Sequence, residues 1–320
     1  MYQKEVVDYP VLDGMVNDLA KCEAMTVISS AEGTCFFTLV GADQQERHAR
    51  LFIESLRSFG GRLSHCPVWV FCSNPTHVPG TYRDLEDVHL VPLAIEDELC
   101  YYFATKVYAC ARAEEMAGPS VRSLVWLSPE CLIVNPPTLF DLRPTFDAAF
   151  RTVHHKNVGS LAKEPLDDFW KAIYRTVGLD DAPFTIESFI DLQQIRPYFN
   201  THCFSIHPVR GICRVWWEYF KSMISDQTFQ SRSCRDELHQ IFLHQAILSA
   251  VVAKELDREQ IRLLSPEYSY PLHMHHQIPG TRRAQTLNGL VCLVYEETRP
   301  VDAIEVREPL RSWLIEHMPI

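Results

Sequence analysis

The sequence predicts an α/β fold with a mixed, mostly parallel central sheet flanked by helices. Three observations predict it. Short apolar runs rich in Val, Phe and Trp alternate with longer stretches of helical periodicity, the pattern of strands joined by crossover helices. The strand runs are continuously apolar, as burial on both faces requires. Several of them also break at turn or polar residues on their carboxyl side, where open parallel sheets collect ligands.

Residues 1–32 are mixed in character and read as a peripheral N-terminal segment, with a helix around 11–24. The α/β domain is expected over 33–320, in two halves, 33–150 and 151–320. Thr34 to Val40 forms the first buried strand. Asp43 caps a helix with Glu46 three residues on, and Gly60-Gly61 ends it. Val68 to Cys72 and Val88 to Leu93 are the next strands, and a helix covers about 102–116. Leu124-Val125-Trp126-Leu127 is a strand that stops at Ser128-Pro129-Glu130, resumes at Cys131-Leu132-Ile133-Val134 and ends in Pro136-Pro137. Strands follow at 146–153 and 290–295, and 198–206 reads as a loop entering a strand. Helices are expected at 209–225 and 236–254, the second with Leu238, Ile241, Gln245, Leu248 and Val252 on one face.

Composition narrows the function. The net charge of −11 argues against a general nucleic-acid binder, which needs a basic face. No run of about 18 apolar residues predicts a membrane span. The 11 cysteines lack CxxC pairs and sit mostly in apolar segments, the usage of a reducing compartment; a cytoplasmic location is expected. A homo-oligomer is compatible with this composition. No P-loop, GxGxxG, GxSxG or HExxH motif occurs.

The chemistry-bearing residues cluster at segment ends. Val40, Gly41, Ala42 and Ser73 stand at the carboxyl ends of the first two strands, where a parallel sheet collects its ligand. Ser128 and Glu130 interrupt the fourth, where a carboxylate can face a cation or a hydroxyl. Asn200 and His202 precede an apolar strand, and Gln245 falls on the apolar stripe of its helix, so a buried amide there needs a partner. Lys106 can reach a phosphate from its helix. Arg282 and Arg283 could clamp a diphosphate with their forked donors. His273 and His275 would share a face in a strand and, with Glu130, could hold a metal.

Taken in order, these segments resemble the glycogenin-like, retaining GT-A nucleotide-sugar glycosyltransferases over roughly residues 34–300. The resemblance implies a GT-A fold with a nucleotide-binding half at 33–150 and an acceptor half at 151–320. It also implies a nucleoside diphosphate sugar as donor, with Val40, Gly41, Ala42 and Ser73 lining its base and ribose, and a divalent metal (Mn or Mg) held by an Asp-X-Asp at the fourth strand. Glu130 falls on its second acidic position, but Ser128 stands on the first. The family's Asn-Ala-Gly corresponds to Asn200-Thr201-His202, and its Asp-Gln to His244-Gln245. Carboxylates are lost and histidines appear, so the resemblance speaks more strongly for the fold than for a standard metal site. Transfer of a sugar to a small-molecule or protein hydroxyl is the leading expectation. The alternatives are a non-transferase metal enzyme using Glu130 with histidines, and a catalytically silent nucleotide- or glycan-binding protein.

Overall fold

A computed structural model of the chain describes residues 33–41, 43–73, 82–94 and 100–318. The helix expected around 11–24 lies outside them, as does Ala42. The core is a seven-stranded sheet, built from β1 (Thr34–Val40), β2 (Val68–Cys72), β3 (Val88–Pro92), β4 (Ser123–Leu127), β6 (Ala148–Thr152), β9 (Phe199–Ile206) and β10 (Ile261–Leu263). Its order is β10-β6-β9-β4-β1-β2-β3. β9 runs antiparallel to both neighbours and the other pairs are parallel.

Strand periodicity divides the core into two layers. In β1, Cys35 and Phe37 face one apolar cluster, while Phe36 and Val40 face the other; β2 and β4 repeat the alternation. On the first face lie α2 (Ala104–Met116), α3 (Asp168–Val177), α4 (Ile212–Ser225), α5 (Gln227–Arg232) and α6 (Glu237–Glu255). On the second face lie α1 (Asp43–Phe59) and a small sheet formed by β5 (Cys131–Ile133), β11 (Tyr270–Pro271) and β12 (Cys292–Val294). A two-stranded hairpin of β7 (Ile186–Glu187) and β8 (Gln194–Ile195) stands apart. The chain closes with α7 (Pro300–Ala303) and α8 (Leu310–His317), the latter packed on the outer side of the small sheet.

Local signals explain the boundaries. α1 ends at Gly60-Gly61: a Cβ on Gly60 would lie 2.4 Å from the Leu56 carbonyl, and Gly61 takes the chain out of the helix at φ 57°. α6 starts where the Asp236 carboxylate accepts the His239 N–H. From Leu243 to Ala253 that helix is buried all round, so its stripe reading was too narrow. Leu238, expected on the inner face, is instead half exposed in the first turn. The interruption between β4 and β5 matters most for function. β4 belongs to the large sheet and β5 pairs antiparallel with β12 in the small one, so Ser128-Pro129-Glu130 turns the chain between two sheets. The chain end of β4, the start of β9 and the N-terminus of α2 therefore meet at one edge.

Candidate active site

A cavity of about 420 Å³ opens at this edge, lined among others by Lys106, Ser128, Glu130, Asn200, His202 and Gln245. It continues into a second space of about 610 Å³ with His48, Glu130, His202, His273 and Glu296 on its walls. Residues far apart in sequence thus share one site.

Thr201 is the hub on the β9 wall. Its carbonyl accepts from Lys106 Nζ at 2.6 Å and from Trp126 Nε1 at 3.0 Å. Its hydroxyl lies 3.1 Å from His244 Nε2 and 3.3 Å from Gln245 Oε1. His244 Nδ1 is 2.9 Å from the Ile241 carbonyl, so Nδ1 carries the hydrogen and Nε2 is an acceptor. One hydroxyl hydrogen serves one acceptor at a time. Either His244 Nε2 or Gln245 Oε1 is therefore open to a donor from the cavity, such as a sugar hydroxyl.

Asn200 orients His202. Its Oδ1 accepts from the His202 backbone N–H at 2.8 Å, from the ring Nδ1 at 3.1 Å and from Ser269 Oγ at 3.3 Å. The other ring nitrogen, Nε2, is thereby left as an acceptor. Burial, followed by the charge of Lys106, pushes the His202 pKa down to about 4. Burial likewise drives His154 and His244 well below the ordinary imidazole range. All three rings are neutral at pH 7.

Lys106 is the cation of the site. It is buried, and its ammonium stands 5.3 Å from the Trp126 ring and 5.7 Å from Phe103. Among the described residues no carboxylate lies within ion-pair distance of it. Burial pulls its pKa down to about 8. Glu130 sits on the opposite wall with His48 Nδ1 at 3.8 Å from its carboxylate. Burial acts to raise the Glu130 pKa, but the His48 imidazole and Glu130's own backbone N–H outweigh it and hold it below the ordinary value. His273 Nδ1 is 3.6 Å from Glu296 Oε2.

Not every expected residue arrives. His273 reaches the cavity, but His275 does not. The segment Leu272–Gln277 is a 3₁₀ helix rather than a strand, so residues two apart point in different directions. His275 is buried and its Nδ1 is 2.7 Å from the Tyr270 hydroxyl. Arg282 and Arg283 line a separate cleft of about 290 Å³. Arg282 donates to the Ser188 and Phe189 carbonyls and pairs with Glu187, and Arg283 donates to the Ile278 and His276 carbonyls. Both guanidinium groups thus bond to the chain itself, in a cleft apart from Lys106 and Glu130, which corrects the diphosphate-clamp reading. Gly41 and Ser73 meet at the ends of β1 and β2, where a Cβ on Gly41 would stand 2.7 Å from Ser73 Oγ. Val40 points instead into the apolar layer under α1, and Leu39 is the β1 residue that faces the cavity. His48, Phe103, His154 and Glu296 were not foreseen, because each comes from a helix, turn or loop whose local pattern carries no motif.

The divalent metal implied by the GT-A resemblance meets a poor donor set. Mg²⁺ and Mn²⁺ take oxygen ligands, preferably carboxylates. Ser128 offers none, and Glu130 faces His48. Among the described residues no three of His, Cys, Asp and Glu are grouped to hold a metal ion.

Residues 36–255 match the model of a family described as the Rhodobacterales glycosyltransferase domain. That span is more than half of the chain. The chain belongs to this glycosyltransferase family. It is an enzyme of the nucleotide-sugar transferase class, and neither alternative reading draws support. Comparison with curated proteins finds no match. Among solved structures, the bifunctional glycosyltransferase WbbM in its apo form aligns with a TM-score of 0.52 at 9% identity, over 92% of this chain and 50% of that one. This glycosyltransferase thus spans half the length of WbbM. An active-site mutant of LgtC aligns with a TM-score of 0.50 at 8% identity, over 88% of this chain and 94% of the other. The galactosyltransferase LgtC in complex with donor and acceptor sugar analogs gives 0.49 at 12% identity, over 88% and 94%. The first two show the fold, which is GT-A-like, as expected. No helix among the described residues is long and apolar enough to cross a membrane.

Proposed function

We propose that this cavity binds a nucleoside diphosphate sugar with Lys106 facing the diphosphate, and transfers the sugar to a hydroxyl of a small molecule or a protein. One observation carries the reading: a buried ammonium that, among the described residues, has no carboxylate within ion-pair distance, beside the strand break between β4 and β5. An unpaired buried cation is costly, and an incoming phosphate removes that cost. Gly41 and Ser73 would hold the base and ribose at the ends of β1 and β2, in the half formed by 33–150. Ser128 and Glu130 would approach the ribose and phosphates. Asn200, through His202, and Gln245, through Thr201, would receive sugar and acceptor hydroxyls from the half formed by 151–320.

In this reading the chain's own residues position the reactants and stabilise the leaving group. Lys106 carries the charge neutralisation that an Asp-X-Asp metal would otherwise supply. His202 Nε2 accepts a hydroxyl hydrogen bond and fixes the orientation of that group. The test is thermal-shift screening with UDP-, GDP- and CDP-sugars, each with Mn²⁺ and with EDTA. A ligand that binds the native state raises the Tm by mass action. One nucleotide series should do so equally under both conditions. Failure of every nucleotide overturns the proposal, and a shift that needs Mn²⁺ overturns the role given to Lys106.

A further inference from the structure

Phe103 sits at the mouth of the cavity in an unusual setting. It precedes α2 with a left-handed backbone, φ 61° and ψ 12°, which costs a non-glycine residue free energy. Its ring stacks on His244 at 4.3 Å between centroids and 28° between planes, yet the residue is 45% exposed. One face is therefore fixed against an imidazole that is itself locked by Ile241 and Thr201. The remaining surface looks outward.

Its neighbours extend the apolar rim. Tyr102 is 44% exposed and Leu238 is 49% exposed. The Tyr102 hydroxyl donates to Glu237 Oε1 at 3.1 Å, which ties the start of α2 to the start of α6. Ile241 and Phe242 continue the surface into the cavity. Directly inside stands the Thr201 hub with its spare acceptor. An occupant should then have a flat apolar face and a polar edge. A pyranose ring has both: axial C–H groups on one face, attracted to the negative face of an aromatic ring, and hydroxyls around its edge.

Resting on the glycosyltransferase reading above, we propose that Phe103 and its rim form the acceptor subsite, and that the acceptor is a saccharide whose C–H face stacks on Phe103. The nucleobase is a poorer occupant. Its proposed place is at the ends of β1 and β2, and β9 stands three strands from β2, roughly 14 Å at the usual spacing.

The experiment is saturation-transfer NMR with methyl β-glucoside, methyl β-galactoside, lactose and maltose, in the presence of whichever nucleoside diphosphate stabilises the protein. At least one saccharide should receive saturation on the C–H protons of one ring face. Phe103→Ala should weaken its binding about ten-fold, Phe103→Leu nearly as much, and Phe103→Trp should restore it. Nucleotide affinity should fall by less than the saccharide's in Phe103→Ala and Phe103→Leu, because the Lys106 ammonium loses Phe103 as a neighbour but keeps Trp126. Retained nucleotide binding in all three variants also reports that they are folded. Absence of saccharide binding with the nucleotide shift intact overturns the acceptor proposal alone. So does a loss of nucleotide affinity in Phe103→Ala that matches the loss for the saccharide. Absence of any nucleotide shift overturns the function and the acceptor subsite together.

Discussion

Replacing Lys106 by Met should make the protein more stable and a poorer binder of its donor. The perturbation keeps most of the aliphatic stem and removes the ammonium. The Thr201 carbonyl keeps a donor, because Trp126 Nε1 also reaches it at 3.0 Å. Burial lowers the Lys106 pKa from 10.5 to about 8. At about 1.4 kcal/mol for each pH unit, that corresponds to about 3 kcal/mol of destabilisation when the residue is charged. The sign follows from proton counts. Below pH 8 the lysine is protonated in both folded and unfolded chains, and the full penalty applies. Between 8 and 10.5 only the unfolded chain binds the proton, so the wild type gains stability as pH rises. Chemical denaturation at pH 7 should show Lys106→Met more stable by up to about 3 kcal/mol, and the difference should close by about pH 10.5. In the same variant, donor affinity should fall by ten-fold or more, the scale of a lost charge-assisted hydrogen bond. In the wild type, donor affinity should weaken as pH rises through 8. A variant that is no more stable at pH 7 and binds nucleotide normally would refute the reasoning.

Other outcomes follow from the same geometry. Thr201→Val leaves His244 Nε2 and the Gln245 amide without their shared partner, and should cost about 1–3 kcal/mol by denaturant unfolding. Arg282→Ala should lower the Tm by a few degrees, because it frees Glu187 and the Ser188 and Phe189 carbonyls, yet leave the KM for the donor unchanged; a raised KM would return Arg282 to the phosphate site. Because burial holds the folded-state pKa of His202 near 4, its contribution to stability should be lost as pH falls from 6.5 towards 4. His202→Gln should flatten the stability profile in that window, and an unchanged slope would show that the ring is charged in the fold.

The strand run Leu124 to Leu127 and its break at Ser128 were legible because both depend on local chemistry: apolar residues that need burial on two faces, then a Ser-Pro turn. The same holds for Gly60-Gly61, where a side chain has no room, and for the Asp236 cap of α6. Gln245 was readable as a buried amide that needs a partner, though not which one. Its partner, Thr201, comes from a strand 44 residues away. The histidines show the limit most clearly. Spacing alone paired His273 with His275, but a 3₁₀ turn sends one to Glu296 and the other to Tyr270. Arg282 and Arg283 read as a free basic pair, yet backbone carbonyls and Glu187 claim them.

By itself, then, the sequence determined the α/β layering, the elements from β1 to β6 with α4 and α6, and the absence of an Asp-X-Asp, since these rest on periodicity and residue identity within a few positions; α3 and the sheet strand β10 carried no such local pattern. The tertiary structure alone decided that Lys106 is buried with no carboxylate within ion-pair distance among the described residues, that Thr201 joins His244 and Gln245, and that Phe103 stands at the mouth. Those facts depend on which side chains from β9, α2 and α6 meet at the end of β4, and burial, pairing and pKa are properties of that meeting rather than of any one segment.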